Sequence, residues 1–142
     1  MVGVGNDIRS DDGIGSYICN AFEKMSIPGI TILHVQQLDV EIIEELLPYR
    51  HILIVDASMD GNDVDLYELA HGAVTPLSSS HHINVAMLTA LAQSLYNKKL
   101  SLFICAVRGY DFEMGNMLSE KAKANCNQAI SQIHEWVNSL RS

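Results

Sequence analysis

One unbroken aliphatic run, Ile52-Leu53-Ile54-Val55, constrains the fold of this chain more than any other feature. A strand with one solvated face alternates apolar and polar residues, whereas four consecutive aliphatic residues predict a strand that is covered on both faces. Such strands are typical of the centre of a parallel sheet between two layers of helices. Asp56 follows the run directly. A carboxylate at that end of a central strand lies where open α/β sheets bind their ligands.

Strand-like and helical patterns alternate along the rest of the chain. Short β-branched or aliphatic runs predict five strands, the fourth of them at an edge, at 1–5, 30–35, 51–57, 64–69 and 100–107. Apolar residues three and four apart predict helices at 12–25 and 83–96. They also predict a last helix that begins after an N-cap at Ser119 and a short helix that begins after an N-cap at Asp39. This alternation predicts an α/β fold, a three-layer α/β/α sandwich around a mostly parallel five-stranded sheet, with residues 1–142 as a single domain.

Charge and composition exclude several classes of partner. A formal net charge of −8 argues against nucleic acid as a partner, because phosphate binding needs a basic surface patch. No apolar run approaches the roughly 20 residues of a membrane span, and Met1 leads directly into a glycine-rich turn. We therefore expect a cytoplasmic protein without a membrane partner. Three well-separated cysteines in apolar contexts are expected to be buried free thiols, namely Cys19, Cys105 and Cys126.

The opening stretch reads Gly3-Val4-Gly5-Asn6, then Arg9-Ser10-Asp11-Asp12-Gly13-Ile14-Gly15. It predicts a strand, a turn, an acidic loop and a helix, with Ser10 or Asp11 as the N-cap. In one interpretation Asp11 and Asp12 are only a capping pair that complements the helix dipole. In the other, Asp12 is functional and lies near the carboxylate that follows the central strand, because both segments leave the same sheet edge. The glycines match neither a dinucleotide fingerprint nor a P-loop.

A polar loop, Leu77-Ser78-Ser79-Ser80-His81-His82, precedes the third predicted helix. Topology can bring His81 to the same edge as Asp12 and Asp56, and an imidazole with two carboxylates suits a divalent transition metal. The spacing itself contains no local metal-binding motif. Each residue also has a structural alternative: Asp56 could cap a turn, and both histidines could be loop residues without a ligand role.

The opening stretch closely resembles the first motif of the hydrogenase maturation endopeptidases. That family removes a C-terminal extension from the large subunit of nickel-iron hydrogenases after nickel insertion. Two further blocks match in order, Ile52-Leu53-Ile54-Val55-Asp56-Ala57 and Ser79-Ser80-His81. The resemblance implies that Asp12, Asp56 and His81 are both the catalytic and the nickel-binding residues. Many relatives carry Glu where Asp12 stands, so the side chain here is one methylene shorter.

Two positions within the resemblance stay open. His82 competes with His81 for the ligand role, and the register of the following helix favours His81. Residues 107–119 resemble the family's loop before its last helix, but Ala106-Val107-Arg108-Gly109 stands where many members have Gly-Ile-x-Pro. Loops at such edges commonly carry specificity, so this departure indicates a particular hydrogenase subgroup.

The resemblance implies a monomeric peptidase whose partner is the hydrogenase large-subunit precursor. Nickel would arrive with that substrate, and no organic cofactor would be needed. No Ser–His–Asp or Cys–His arrangement can be assigned, which favours metal-dependent or substrate-assisted hydrolysis over an acyl-enzyme. The resemblance implies a metal-dependent or aspartic-like endopeptidase. Asp11 would cap the helix or orient Asp12, and Asn6 would hold the loop.

Two other functions remain open. The main alternative is a nickel-dependent protein-binding or maturation-checkpoint module without peptidase activity. An enzyme for small phosphorylated or nucleoside substrates is disfavoured, because Arg9 is the only basic residue beside the glycine-rich loop.

Overall fold

The computed structural model describes residues 1–69 and 79–141, with the backbone alone for 79–84. Its strands are β1 (Val2–Val4), β2 (Leu33–Val35), β3 (Ile52–Ser58), β4 (Val64–Glu68) and β5 (Leu102–Arg108). Its helices are α1 (Ile14–Met25), α2 (Ile43–Leu46), α3 (Ser79–Tyr96) and α4 (Glu120–Leu140). Two 3-10 turns, Ser10–Gly13 and Val40–Ile42, lead into α1 and α2.

The strands form one sheet in the order β2-β1-β3-β5-β4. The pairs β1–β2, β1–β3 and β3–β5 are parallel, and β4 joins β5 in antiparallel orientation at the edge. The aliphatic run that predicted a central strand lies in β3, and all four of its side chains are buried. The predicted mostly parallel five-stranded sheet is therefore confirmed, including the edge position of the fourth strand.

Helices cover both faces of the sheet. On one face, Ile18 and Phe22 of α1 and Ile133 of α4 pack against buried side chains of β3 and β5. On the other face, Leu46 of α2 and Leu88 of α3 pack against the opposite sides of the same strands. Two separate hydrophobic cores thus flank one sheet, which confirms the predicted α/β/α layers. None of the described helices is long and apolar enough to cross a bilayer.

The boundaries of several elements differ by a few residues from the predicted ones. The second strand begins at Leu33 rather than at residue 30, and the central strand continues to Ser58. The third helix begins at Ser79 rather than at residue 83, so His81 and His82 lie in its first turn and not in a loop before it. Serine and histidine are modest helix formers, and the tertiary context of a long packed helix overrides their weak preference.

Two of the predicted helix caps are confirmed and one is wrong. The Asp39 side chain accepts a hydrogen bond from the Glu41 N–H, and the Ser119 hydroxyl accepts one from the Ala122 N–H. Neither Ser10 nor Asp11 caps the first helix, because α1 has Gly13 at its N-cap position and no side-chain cap there. Both side chains make long-range hydrogen bonds instead.

Gly15, in the first turn of α1, lies directly against the sheet. A Cβ at this position would lie 2.6 Å from the Val4 carbonyl oxygen and 2.8 Å from the Val55 carbonyl oxygen. Both distances are below van der Waals contact. Only a glycine therefore lets the start of α1 approach Val4 at the end of β1 and Val55 in the middle of β3 this closely, which places the preceding acidic turn over the same two strands.

We expect Gly15→Ala to lower the free energy of unfolding by about 2 kcal/mol, because the added methyl group must push the helix away from two backbone carbonyls. Urea denaturation followed by circular dichroism measures this loss. Gly13→Ala is the matched control, since its Cβ would approach nothing closer than the Asp7 Cα at 3.4 Å. Equal stability losses in the two variants would contradict the close-packing explanation.

Candidate active site

Asp12 and Asp56 lie at the same edge of the sheet, as predicted. The 3-10 turn that carries Asp12 follows β1 and contacts β3. Val55 of β3 pairs with Gly3 of β1 in the parallel register. Asp56, the next residue, is therefore level with Val4, the last residue of β1. A Cβ on Gly5, which directly follows β1, would lie 3.6 Å from the Asp12 carboxyl carbon. The two carboxylates therefore flank the carboxyl end of the same strand.

The Asp12 side chain is half-buried and is held by the turn that precedes it. The Asn6 N–H donates a 2.8 Å hydrogen bond to Oδ2 of Asp12, and the Asn6 side-chain oxygen accepts one from the Ile8 N–H. Gly5 has a φ of 141°, and a Cβ there would lie 1.9 Å from the Asp12 carbonyl oxygen. The two hydrogen bonds of Asn6 thus hold the loop. Because Gly5 has no Cβ, the turn can fold back until the Asp12 carbonyl lies against the Gly5 backbone.

Asp56 lies inside β3, two residues before its end, and its side chain is buried. Its Oδ1 accepts a 2.8 Å hydrogen bond from the N–H of the next residue, Ala57. The strand continues past Asp56 in register with β5, so this residue does not cap a helix. Buried carboxylates in folded proteins are paired or coordinate metals, which distinguishes Asp56 from an ordinary strand residue.

The histidine of the predicted set falls outside the described side chains. His81 and His82 both lie in the first turn of α3, where the structure describes the backbone alone. Among the side chains that are described, no group of three or more His, Cys, Asp or Glu residues could hold a metal. Metal binding by Asp12, Asp56 and His81 together therefore stays a prediction.

Asp11 has a role that the sequence did not reveal. Its carboxylate is fully buried and accepts four hydrogen bonds, all from residues about a hundred positions away. The N–H groups of Tyr110 and Asp111 donate to Oδ2 at 2.7 and 2.9 Å. The Ser119 N–H donates to Oδ1 at 2.7 Å, and its hydroxyl donates to Oδ2 at 2.8 Å. Asp11 therefore anchors residues 110–119 and the start of α4 to the turn that carries Asp12.

Burial by itself would raise the pKa of the Asp11 carboxyl, but the hydrogen bonds from Tyr110, Ser119 and Asp111 outweigh it, and the pKa lies below its ordinary value of 3.8. Each donor stabilises the ionised form. The carboxylate is therefore charged at neutral pH, in a site where an uncompensated charge would be costly.

Backbone hydrogen bonds complete the junction between the acidic turn and residues 110–119. The Gly115 N–H donates to the Ile8 carbonyl and the Ser10 N–H donates to the Gly115 carbonyl, at 2.9 and 2.8 Å. The Ser10 hydroxyl donates to the Glu113 carbonyl at 2.9 Å, and Ser10 has a left-handed φ of 51°. This unfavourable backbone conformation of Ser10 is maintained because hydrogen bonds from its N–H and its hydroxyl hold the residue in place.

The three thiols do not supply a nucleophile. Cys19, Cys105 and Cys126 are buried and unbridged, as predicted. Burial raises the pKa of each thiol to about 12, so the reactive thiolate is scarce at neutral pH. The carboxylates at the sheet edge remain the chemically distinctive groups.

Sequence comparison alone does not assign this chain, since it matches no protein-family model and no curated protein. Its fold does match solved structures. The hydrogenase maturating endopeptidase HybD from E. coli matches with a TM-score of 0.79 and 18% identity over 97% of this chain and 90% of that chain. The [NiFe] hydrogenase maturation protease HybD from Thermococcus kodakarensis matches with a TM-score of 0.71 and 16% identity over 95% of each chain. An endopeptidase from Escherichia coli matches with a TM-score of 0.71 and 23% identity over 93% of this chain and 86% of that chain.

This chain is thus an α/β/α protein with two carboxylates at the carboxyl edge of its sheet. Its fold, over nearly the whole length, is that of the hydrogenase maturation proteases. The structure therefore confirms the fold that the sequence resemblance implied.

We expect Asp11→Asn to lower the free energy of unfolding at pH 7 by about 2 to 3 kcal/mol, because an amide NH₂ would face buried N–H donors. The lowered pKa means that the carboxylate stabilises the fold fully above its unfolded value of 3.8, and that this stabilisation is lost as the pH falls through the folded-state pKa. Urea denaturation at pH 7 and at about pH 3 should show the difference between wild type and variant shrinking in acid.

Asp111→Asn is the matched control for the Asp11 substitution. Asp111 is exposed, and its carboxylate accepts one local hydrogen bond, from the Glu113 N–H. Its loss should cost less than about 1 kcal/mol. An Asp11→Asn penalty as small as the control's, or one that does not change with pH, would contradict the proposed anchoring role.

Proposed function

We propose that this protein is an endopeptidase that removes the C-terminal extension of a nickel-iron hydrogenase large-subunit precursor after nickel insertion. The observation that carries this proposal is the convergence of Asp12 and Asp56 at the carboxyl edge of a fold shared with hydrogenase maturation proteases. The proposal places the protein in that family and in the cytoplasm, acting as a monomer on a protein partner without an organic cofactor.

Nickel belongs to the substrate in this proposal. Asp12, Asp56 and His81 supply two carboxylates and an imidazole, which suit the open coordination positions of a divalent nickel ion. Asn6 engages Oδ2 of Asp12, and no described residue donates a hydrogen bond to Oδ1. The oxygen Oδ1 is therefore available to a metal ion that a docked substrate brings to the sheet edge.

The ion so held can polarise the scissile carbonyl or lower the pKa of a bound water. The residues of this chain position the ion and the substrate around it. A fixed Asp12 matters for this task, because small errors in the placement of a catalytic group cost large factors in rate. The high thiol pKa values support the choice of metal-assisted hydrolysis over a cysteine nucleophile.

Mass spectrometry of a nickel-loaded large-subunit precursor incubated with this protein tests the proposal. We expect loss of a short C-terminal peptide with the wild type and at least a roughly 100-fold slower loss with Asp12→Ala or Asp56→Ala, because each removes a ligand of the ion. Glu45→Ala is the matched control, since Glu45 is an exposed acid on α2. Nickel-free precursor runs in parallel and should stay intact.

Other outcomes of that experiment discriminate among mechanisms. Cleavage of nickel-free precursor at the same rate would retain the peptidase and reject nickel recognition. Nickel-dependent association without any cleavage would favour the alternative function, a maturation-checkpoint module without peptidase activity. Full activity of Asp12→Ala would reject the proposed site.

The choice between His81 and His82 has its own test. Consecutive residues of an α-helix project roughly 100° apart, so we expect only one of the two to act as the ligand. We assign that role to His81. In the same assay His81→Ala should lose at least about 100-fold in cleavage rate and His82→Ala less than about fivefold. The reverse order would transfer the ligand role to His82.

A further inference from the structure

Three large apolar side chains are exposed beside the candidate site. Ile8, Met114 and Met117 are 56%, 81% and 69% exposed, and we name this group the apolar rim. Isolated exposed apolar residues are ordinary on protein surfaces, whereas several together commonly mark an interaction site.

The rim is built on hydrogen-bonded backbone. Arg9 and Gly115 form a parallel bridge, so Ile8 and Met114, each one residue earlier, stand at matching positions on the two segments. The Gly115 N–H donates to the Ile8 carbonyl at 2.9 Å. Met117 follows two residues later, before Ser119 and its bonds to the buried Asp11 carboxylate. The apolar side chains therefore project from a fixed support, and a partner need not order this surface on binding.

The rim is also connected directly to Asp12. Asn6 accepts a hydrogen bond from the Ile8 N–H through its side chain and donates its own N–H to the Asp12 carboxylate. One residue thus joins the rim to the candidate metal ligand. A chain segment resting on the rim would lie next to the carboxylate that is proposed to bind the ion.

The two segments that carry the rim, residues 6–12 and 110–119, contain five acidic residues and one cation. Exposed acids flank it at Asp7, Asp111 and Glu113, and Arg9 is the one exposed cation between Asn6 and Asp12. Arg108 and Lys121, which lie on either side of residues 110–119 in the sequence, both lie over the ring of Tyr110. A complementary partner segment would therefore be apolar at its centre and carry Lys or Arg beside it.

We propose that the apolar rim is the docking surface for the protein substrate, a basic and partly apolar segment of the hydrogenase large-subunit precursor. This inference rests on the proposed function. Methionine suits the role, because its flexible and polarizable side chain adapts to an irregular partner surface. The rim binds the segment, and the carboxylates beside it act on the metal and the scissile bond that the segment brings.

Steady-state cleavage of nickel-loaded precursor by the double variant Met114→Ser/Met117→Ser tests this assignment. We expect KM to rise about tenfold with kcat changed less than twofold, because the lost contacts bind substrate and transition state alike. Leu95→Ser is the matched control, since Leu95 is 68% exposed in the last turn of α3, outside the two segments that carry the rim. Its KM should equal that of the wild type. Both variants change exposed side chains, and thermal unfolding confirms that each remains folded.

Charge supplies an independent arm of the test. Raising the salt concentration from about 0.05 to 0.5 M should increase the wild-type KM, because screening weakens attraction between exposed charges. Asp7→Asn/Glu113→Gln should raise KM about threefold at low salt and remove most of the salt dependence. A wild-type KM that is independent of salt would overturn the basic character assigned to the partner segment.

Failure of the docking surface is distinguishable from failure of the proposed function. An unchanged KM in Met114→Ser/Met117→Ser, with active wild type, would overturn the rim while the peptidase stands. If the wild type binds precursor without cleaving it, weaker binding by the double variant would support the rim and reject the peptidase. Absence of both cleavage and binding by the wild type would overturn both.

Discussion

A buried carboxylate joins the beginning of this chain to its last third. Asp11 accepts four hydrogen bonds from Tyr110, Asp111 and Ser119, and its side chain is fully buried. An ionised carboxylate in such a place is tolerable only while every donor is in position. The same interaction therefore fixes three features at once: the acidic turn after β1, residues 110–119 and the beginning of α4.

Close backbone packing at two glycines also holds the acidic turn against the sheet. Gly15 lets α1 pack closely on the end of β1 and the middle of β3, and Gly5 lets the turn fold back until the Asp12 carbonyl lies against it. Together they hold the half-buried Asp12 carboxylate at the sheet edge where Asp56 is buried. Adjacent residues thus make different contacts: Asp11 anchors residues 110–119, while the Asp12 carboxylate accepts a hydrogen bond from the Asn6 N–H.

Sequence patterns predicted the elements that depend on local or periodic signals. The aliphatic run from Ile52 to Val55 identified the central strand, and Asp39 and Ser119 identified two helix starts through their capping chemistry. The same capping argument was wrong at Ser10 and Asp11. Their side-chain oxygens are equally able to cap a helix, but stronger partners about a hundred residues away compete for them.

The sequence by itself determined the layers, the mostly parallel sheet and the convergence of Asp12 with Asp56, because burial periodicity and the carboxyl-edge rule need no tertiary information. Only the tertiary structure decided that Asp11 anchors residues 110–119 and that Ile8 stands beside Met114. These contacts join positions 99 to 108 residues apart for Asp11, and no local spacing encodes which distant donors a carboxylate will meet. Their geometry exists only after the sheet has brought both segments to one edge.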